Sequence, residues 1–299
     1  LTATLSRARG TSVWRYLPNT VGVEGRDWVR RGITAGSASD AKLTLKGDLA
    51  RFPFLDGSGT FLVKAKAHDV TIDCAEGWPR IEGIEGDLTF AGAGMRVDAH
   101  KGSLLGTRIS QTVAEIDDFD AANPRLTVKG RVDGPTARFL EFIEASPVGE
   151  SIDHATSEMK AVGDGRLDLS LLIPLANTDD SRVSGDFEFL GNEVTVEPAL
   201  PPMINVKGDL KFTDSAISIR EINGLFLGGP VKVRAATRDG RVEVQAGGVL
   251  SVGQVRRRYD WPLFDSLSGT ANWRAEVKVK KNTADIVVES NLAGLASSL

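Results

Sequence analysis

Residues 84–90 read I-E-G-D-L-T-F, and after a short gap residues 95–109 read M-R-V-D-A-H-K-G-S-L-L-G-T-R-I. The same pattern returns 122 residues later, as V-K-G-D-L-K-F at 206–212 and I-S-I-R-E-I-N-G-L-F-L-G-G-P-V at 217–231. Gly86, Asp87, Leu88 and Phe90 fall on Gly208, Asp209, Leu210 and Phe212. Met95 and Val97 fall on Ile217 and Ile219, and Gly102 and Gly106 on Gly224 and Gly228. A weaker third echo is Trp261-Pro262 with Gly269, at the spacing of Trp78-Pro79 and Gly86. Apolar and polar residues alternate through each copy, so each reads as strand–turn–strand. A repeated unit of this kind predicts an architecture of stacked similar pieces, which presents long surfaces instead of one catalytic pocket.

The alternation extends well beyond the repeat. It runs through 43–49, 61–67, 126–132, 167–173, 183–189, 231–235, 242–246 and 275–280. In 61–67 (F-L-V-K-A-K-A) it puts Phe61, Val63, Ala65 and Ala67 on one side. A strand with one dry and one wet face belongs to an antiparallel sheet, because parallel strands buried on both sides read as continuous apolar runs. Asp239-Gly240 between two such strands is a hairpin signal, and the gaps at Gly92–Gly94 and Asp214–Ser215 predict further hairpins. Short helices are expected near 23–31, at 135–145, where Pro135 opens the segment and Ser146-Pro147 ends it, and at 251–258 with Ser251 as a cap. The fold class is therefore all-β with a few short helices, with strand above about 40% and helix below about 15%. It is expected as an elongated antiparallel sheet, a folded-over groove built from strand–turn–strand units. Residues 1–150 are expected as a first β repeat region and 151–299 as a second that continues beyond the fragment. The stretch 146–163 is the expected long loop or boundary.

Composition narrows the chemistry. The chain has 299 residues, a formal net charge of -4 and 32 glycines. Its basic residues are spread along strands, which argues against nucleic acid. One cysteine, Cys74, makes no intrachain disulfide. No apolar run approaches 18 residues, and with a start at Leu the chain is expected to be a piece cut from a longer protein. His68, His100 and His154 stand far apart in no metal-type spacing, and His68 and His100 read as solvated. Asp87, Asp98, Asp168, Asp186, Glu243 and Glu276 occupy the polar phase of strands and read as a solubilising outer face. Asp117–Asp120 lacks the spacing of a calcium loop, and Arg256–Arg258 reads as a charged helix end. Trp78 and Trp261, each followed by proline, read as plugs at the open end of a sheet layer. No catalytic residue, cofactor or metal is expected.

Four blocks taken together resemble the AsmA-like family, in its YhdP branch. They are D-W-V-R-R-G-I-T-A-G-S-A-S-D-A-K-L-T-L-K-G-D-L-A-R-F-P-F at 27–54, and G-W-P-R-I-E-G-I-E-G-D-L-T-F at 77–90 with K-G-S-L-L-G at 101–106. The others are G-P-T-A-R-F-L-E-F-I-E-A-S-P at 134–147, and the pair 206–212 and 222–230. The resemblance implies the central periplasmic region of an inner-membrane-anchored envelope protein, with the anchor outside this chain. It implies a β groove like those of bridge-like lipid transfer proteins. Such a groove carries phospholipid between inner and outer membranes and supports the outer-membrane barrier. The implied partners are phospholipid acyl chains, and both membranes through regions outside this fragment; no protein partner is indicated.

The dry strand faces need a cover, which a second sheet, a helix or a ligand supplies. Candidate groove residues are Phe61, Val63, Leu88, Phe90, Val97, Leu210, Phe212 and Ile219. Small residues on the same phase (Ala65, Gly86, Ala99, Gly130, Gly208, Ala235) suit either an open trough or a closed sandwich. The alternative function is a ligand-free structural or protein-interaction scaffold of the envelope.

Overall fold

A computed structural model describes residues 1–17, 21–259, 261–280 and 283–298. Strand β1 (Thr2–Arg9) leads through a 3-10 turn (Gly10–Tyr16) into helix α1 (Val23–Gly32). Six strands follow: β2 (Ile33–Lys46), β3 (Thr60–Ile72), β4 (Ile81–Ala91), β5 (Gly94–Leu104), β6 (Thr107–Ile116) and β7 (Arg125–Pro135). Helices α2 (Thr136–Glu144) and α3 (Pro147–Ser151) and a short β8 (Lys160–Val162) come next. Another six strands follow: β9 (Asp164–Pro174), β10 (Arg182–Thr195), β11 (Met203–Thr213), β12 (Ile217–Phe226), β13 (Gly229–Arg238) and β14 (Arg241–Ser251). Helix α4 (Val252–Arg258), a 3-10 turn (Pro262–Ser266), β15 (Leu267–Lys280), β16 (Thr283–Ser290) and β17 (Leu295–Ser297) complete the order. Among the described residues 17 strands form one open antiparallel sheet; 59% is strand and 17% helical, the latter slightly above expectation because of the 3-10 turns. The chain divides into two compact units, Leu1–Asp133 with Asp168–Val183, and Gly134–Leu167 with Ser184–Leu299.

The repeat is larger than a strand–turn–strand unit. A helix followed by six strands occurs as α1 with β2–β7, and again as α2 with β9–β14. In both copies the first two strands of the six are joined by a loop with a 3-10 turn, Leu49–Arg51 and Thr178–Asp180. The segments at 84–109 and 206–231 share their register at the turns and differ by one residue between them: Gly86 pairs with Ala99, whereas Gly208 pairs with Ile222, the equivalent of His100. Phe90 pairs with Met95 in the first, and Phe212 with Ile217 in the second. Both copies carry a bulge with a left-handed residue at the same place, Gly83 at φ 62° and Asn205 at φ 55°. Gly and Asn are the residues that adopt this conformation most readily. The next hairpin turn is Leu-Gly both times: φ is 49° and 82° at Leu105-Gly106, and again at Leu227-Gly228. Two successive positive φ values give the twist that a two-residue hairpin needs. Asp239-Gly240 does the same at 50° and 70°.

Three expectations are corrected. The third echo is not structurally equivalent, because Gly86 lies in β4 whereas Gly269 lies at the start of β15, the strand that follows a helix as β2 does. The strand at 43–49 stops at Lys46, where Gly47 at φ 131° and the Asp48 side chain, accepting from the Ala50 amide, turn the chain into a 3-10 turn. The stretch 146–163 is not a plain loop: it holds α3, capped by the Ser146 hydroxyl accepting from the Val148 amide, and β8. Ser251 occupies the cap position of α4 without a side-chain capping bond.

Candidate functional site

Register turns the period-two pattern into continuous apolar ladders. In the first unit, Leu43, Val63, Phe90, Met95, Ile116 and Leu126 are successive cross-strand partners from β2 to β7. One step along, Ala65, Leu88, Val97, Ala114 and Val128 form a second ladder. Phe61 is two residues from Val63 and shares its face. In the second unit Phe187 opposes Leu210, Gly185 opposes Phe212, and Ile219, Ala235, Val244, Val277 and Ile286 are successive partners from β12 to β16. Cross-strand partners point to the same side of a sheet. Five of the eight candidate residues thus share one dry face in the first unit. Leu210, Phe212 and Ile219 share one in the second, because Phe212 pairs with Ile217.

The opposite side is a ladder of charge. Lys64, Thr89, Arg96, Glu115 and Thr127 are successive partners in the first unit, and Asp186 faces Lys211 in the second. Arg96 pairs with Asp98 at 2.7 Å and Glu115 at 3.4 Å, and Lys211 with Asp186 at 2.6 Å. Glu221 accepts from Lys232 at 3.0 Å and Arg234 at 2.9 Å, which holds its carboxyl at about 2. His100 meets Asp87 at 2.8 Å on the same wet surface.

His68 bridges three strands: Nε2 lies 2.8 Å from Ser39 Oγ, and Nδ1 lies 3.0 Å from Glu85 Oε2. The order serine–histidine–acid matches a hydrolytic triad. However, imidazole and carboxylate are 44% and 39% exposed on the charged side, where water competes for each bond. Glu85 is held low chiefly by the Asp69 amide and then by His68. This is a polar tie across β2, β3 and β4. Sequence reading missed it because its three members come from separate strands. Among the described residues no group of three or more His, Cys, Asp or Glu is arranged to hold a metal ion.

The dry face is only partly covered. All eight candidate residues are half-buried. The accessible surface is 18333 Å². A compact 32.0 kDa protein exposes about 12,000 Å², and two separate compact halves about 15,000 Å². The excess is what sheets with an uncovered side produce. Cover is local. In the second unit Leu140 of α2 packs, with Met159, on Ala161, Val194, Val206 and Ile222, and Ile219 lies at the margin of that cluster. In the first unit the β2–β3 loop sends Phe52 edge-on against Phe61 at 5.1 Å, backed by Phe54 at 5.9 Å. Glycine on this face does not open space. A Cβ on Gly86 would lie 2.9 Å from Ala99 Cα, and one on Gly208 2.6 Å from Glu221 O, so both mark close strand approach. The Trp-Pro sites are not plugs: Trp78 and Trp261 are 40% and 60% exposed.

The family model described as "YhdP protein" matches residues 1–299. This chain belongs to the YhdP family. It is 24% identical over 281 residues to the "Intermembrane phospholipid transporter YhdP" of Escherichia coli (strain K12), covering 93% of this chain and 22% of that relative. The chain thus spans less than a quarter of the length of this YhdP relative. No solved structure matches it. No helix among the described residues is long and apolar enough to cross a membrane.

Proposed function

We propose that this chain is a segment of a periplasmic phospholipid conduit, non-enzymatic, whose uncovered dry face carries acyl chains between inner and outer membranes. In this reading it belongs to an inner-membrane-anchored protein and supports the outer-membrane barrier. The observation that carries the reading is the pair of unbroken apolar ladders, one from β2 to β7 and one from β3 to β7, half-buried except at the buried Ile116, in a chain of the YhdP family. The family relation supports lipid transport, and the ladders supply a physical means. A phospholipid with about 30 chain methylenes meets a barrier of roughly 24 kcal/mol on crossing water bare, at ~0.8 kcal/mol each. A continuous apolar surface offsets most of that cost without chemistry. The charged side keeps the sheet soluble and resists edge association.

Phe61, Val63, Leu88, Phe90 and Val97 line the path in the first unit, and Leu210, Phe212 and Ile219 in the second. The cluster under α2 favours the scaffold reading for that stretch alone, where protein already covers the face. The test is native purification followed by mass spectrometry of bound lipid. Phospholipid recovered from the untreated protein and absent after delipidation is the expected result. A fully folded protein that never carries phospholipid contradicts the conduit and leaves the scaffold.

A further inference from the structure

Beyond the ladders, two arginines meet one tryptophan where the 3-10 turn adjoins α1. Trp14, in the 3-10 turn before the helix, has Arg15 and Arg30 each with Cζ at 5.3 Å from its ring centroid. Arg30 and Arg31 in the last turn have an ordinary explanation, since cations favour helix C-termini. Arg15 stands likewise in the last turn of the preceding 3-10 helix, so two separate helix ends bring their cations to the same indole. Neither Arg15 nor Arg30 forms an ion pair among the described residues, whereas Arg96, Arg131 and Arg234 each pair with a carboxylate. Two guanidiniums gathered on one ring without an acid repel each other, and an anion bound between them offsets that repulsion. This happens in a chain whose formal net charge is -4.

The surroundings suit the boundary between a lipid's chains and its headgroup. Tyr16 in the 3-10 turn and Val23 and Trp28 in α1 are exposed at 74%, 78% and 44%. Amphipathic aromatics are the residues that favour such a boundary. Trp28 is held in place by its Nε1–H, which donates to Cys74 O at 2.8 Å. Helix α1 passes directly into β2, whose Leu43 starts the apolar ladder of the same unit. The chemistry recurs in part at α4, where Arg258 lies 5.8 Å over Tyr259 and Trp261 stacks on Phe264. There Arg256 is already neutralised by Asp265 at 3.0 Å, and α2 has no basic residue in its last turn. Among the described residues the α1 cluster is the one that gathers two guanidiniums on a single ring.

We propose that Arg15, Arg30 and Trp14 form a phosphate site that holds the headgroup of a glycerophospholipid whose acyl chains lie on the dry face of the same unit. The site rests on the conduit reading and adds a headgroup preference to it. The test loads the whole chain from phosphatidylcholine vesicles doped with either phosphatidylglycerol or the diacylglycerol of identical chains. Bound lipid is counted after the vesicles are removed. In Arg15→Gln/Arg30→Gln the ratio of phosphatidylglycerol to diacylglycerol bound falls about tenfold, the loss expected for removing charge-assisted bonds to one phosphate. Arg15→Lys/Arg30→Lys, which keeps the charge, restores part of it. Inorganic phosphate in large excess leaves phosphatidylglycerol bound. An unchanged ratio in the Gln variant overturns the site while the conduit stands. Displacement by inorganic phosphate overturns it in favour of a soluble anion. Loading of neither lipid by the unaltered protein overturns the conduit and the site together.

Discussion

Asn192 Nδ2 donates to Thr136 Oγ1 at 2.8 Å, and both side chains are buried, Asn192 completely. The same amide donates to Asp164 O at 3.0 Å, while its Oδ1 accepts from the Leu190 amide at 2.8 Å. One side chain therefore ties the bulge of β10 to the first residue of α2 and to the first residue of β9. Asn192→Leu leaves several buried polar groups unpaired and costs about 3 kcal/mol of stability. Thr136→Ala removes one bond and costs about 1 kcal/mol. Urea unfolding of the two variants measures the difference, and equal small losses would refute the tie.

The repeated Leu-Gly turn separates backbone strain from packing. A Cβ at Gly106 meets nothing within 4 Å, whereas one at Gly228 meets Gln254 Cγ of α4 at 2.5 Å. Gly106→Ala costs about 1 kcal/mol from its left-handed conformation alone, and Gly228→Ala costs more. Thermal melts of the pair rank the two, with Gly228→Ala expected to melt lower.

Glu221 sets an acid-dependent contribution. Its carboxyl is lowered from 4.5 to about 2 by hydrogen bonds from Lys232 and Arg234. A depressed folded value means the stabilisation is present above pH 4.5 and lost as pH falls through about 2. The stability gap between wild type and Glu221→Gln is expected to be constant near neutral pH and to close across that acid window. A gap that grows as the pH falls would reverse the sign argued here.

Charged side chains opposite the dry face carry no lipid in this account. Asp87→Ala, His100→Ala and Asp209→Ala are expected to leave bound lipid at the wild-type level, since all three are exposed and surface ion pairs contribute about 0–1 kcal/mol. Lipid loss in a stably folded His100→Ala protein would restore a chemical role to that histidine.

Much of this was legible in the chain. Alternation from Phe61 to Ala67 placed β3 and its dry side, because side-chain direction in a strand follows position alone. The repeat itself was readable in part from Gly86 and Gly208, which fall on each other in the two copies and where neighbouring backbone leaves no room for a Cβ. What escaped was long-range: the α2 cover over Val206 and Ile222, the Asn192–Thr136 tie and the Ser39–His68–Glu85 bridge join segments distant in sequence. Local period carries no information about such partners. The Trp-Pro sites were misread because an indole beside proline looks the same whether it fills a core or faces water.

The central claim is that the dry face is an open lipid surface, and Val63 tests it most directly. Val63 lies in the ladder between Leu43 and Phe90 and is half-buried. The decisive measurement is photo-crosslinking from position 63, with 210 as its counterpart in the second unit, combined with the stability of Val63→Asp. On an open face the carboxylate reaches water. Val63→Asp then folds with a loss of about 1 kcal/mol, and phospholipid binding fails. The account predicts phospholipid adducts at 63 and 210 and a folded Val63→Asp protein that no longer holds lipid. A closed core buries the charge at a cost of several kcal/mol, so an unfolded Val63→Asp protein, with no lipid adduct at either position in the folded parent, would contradict it.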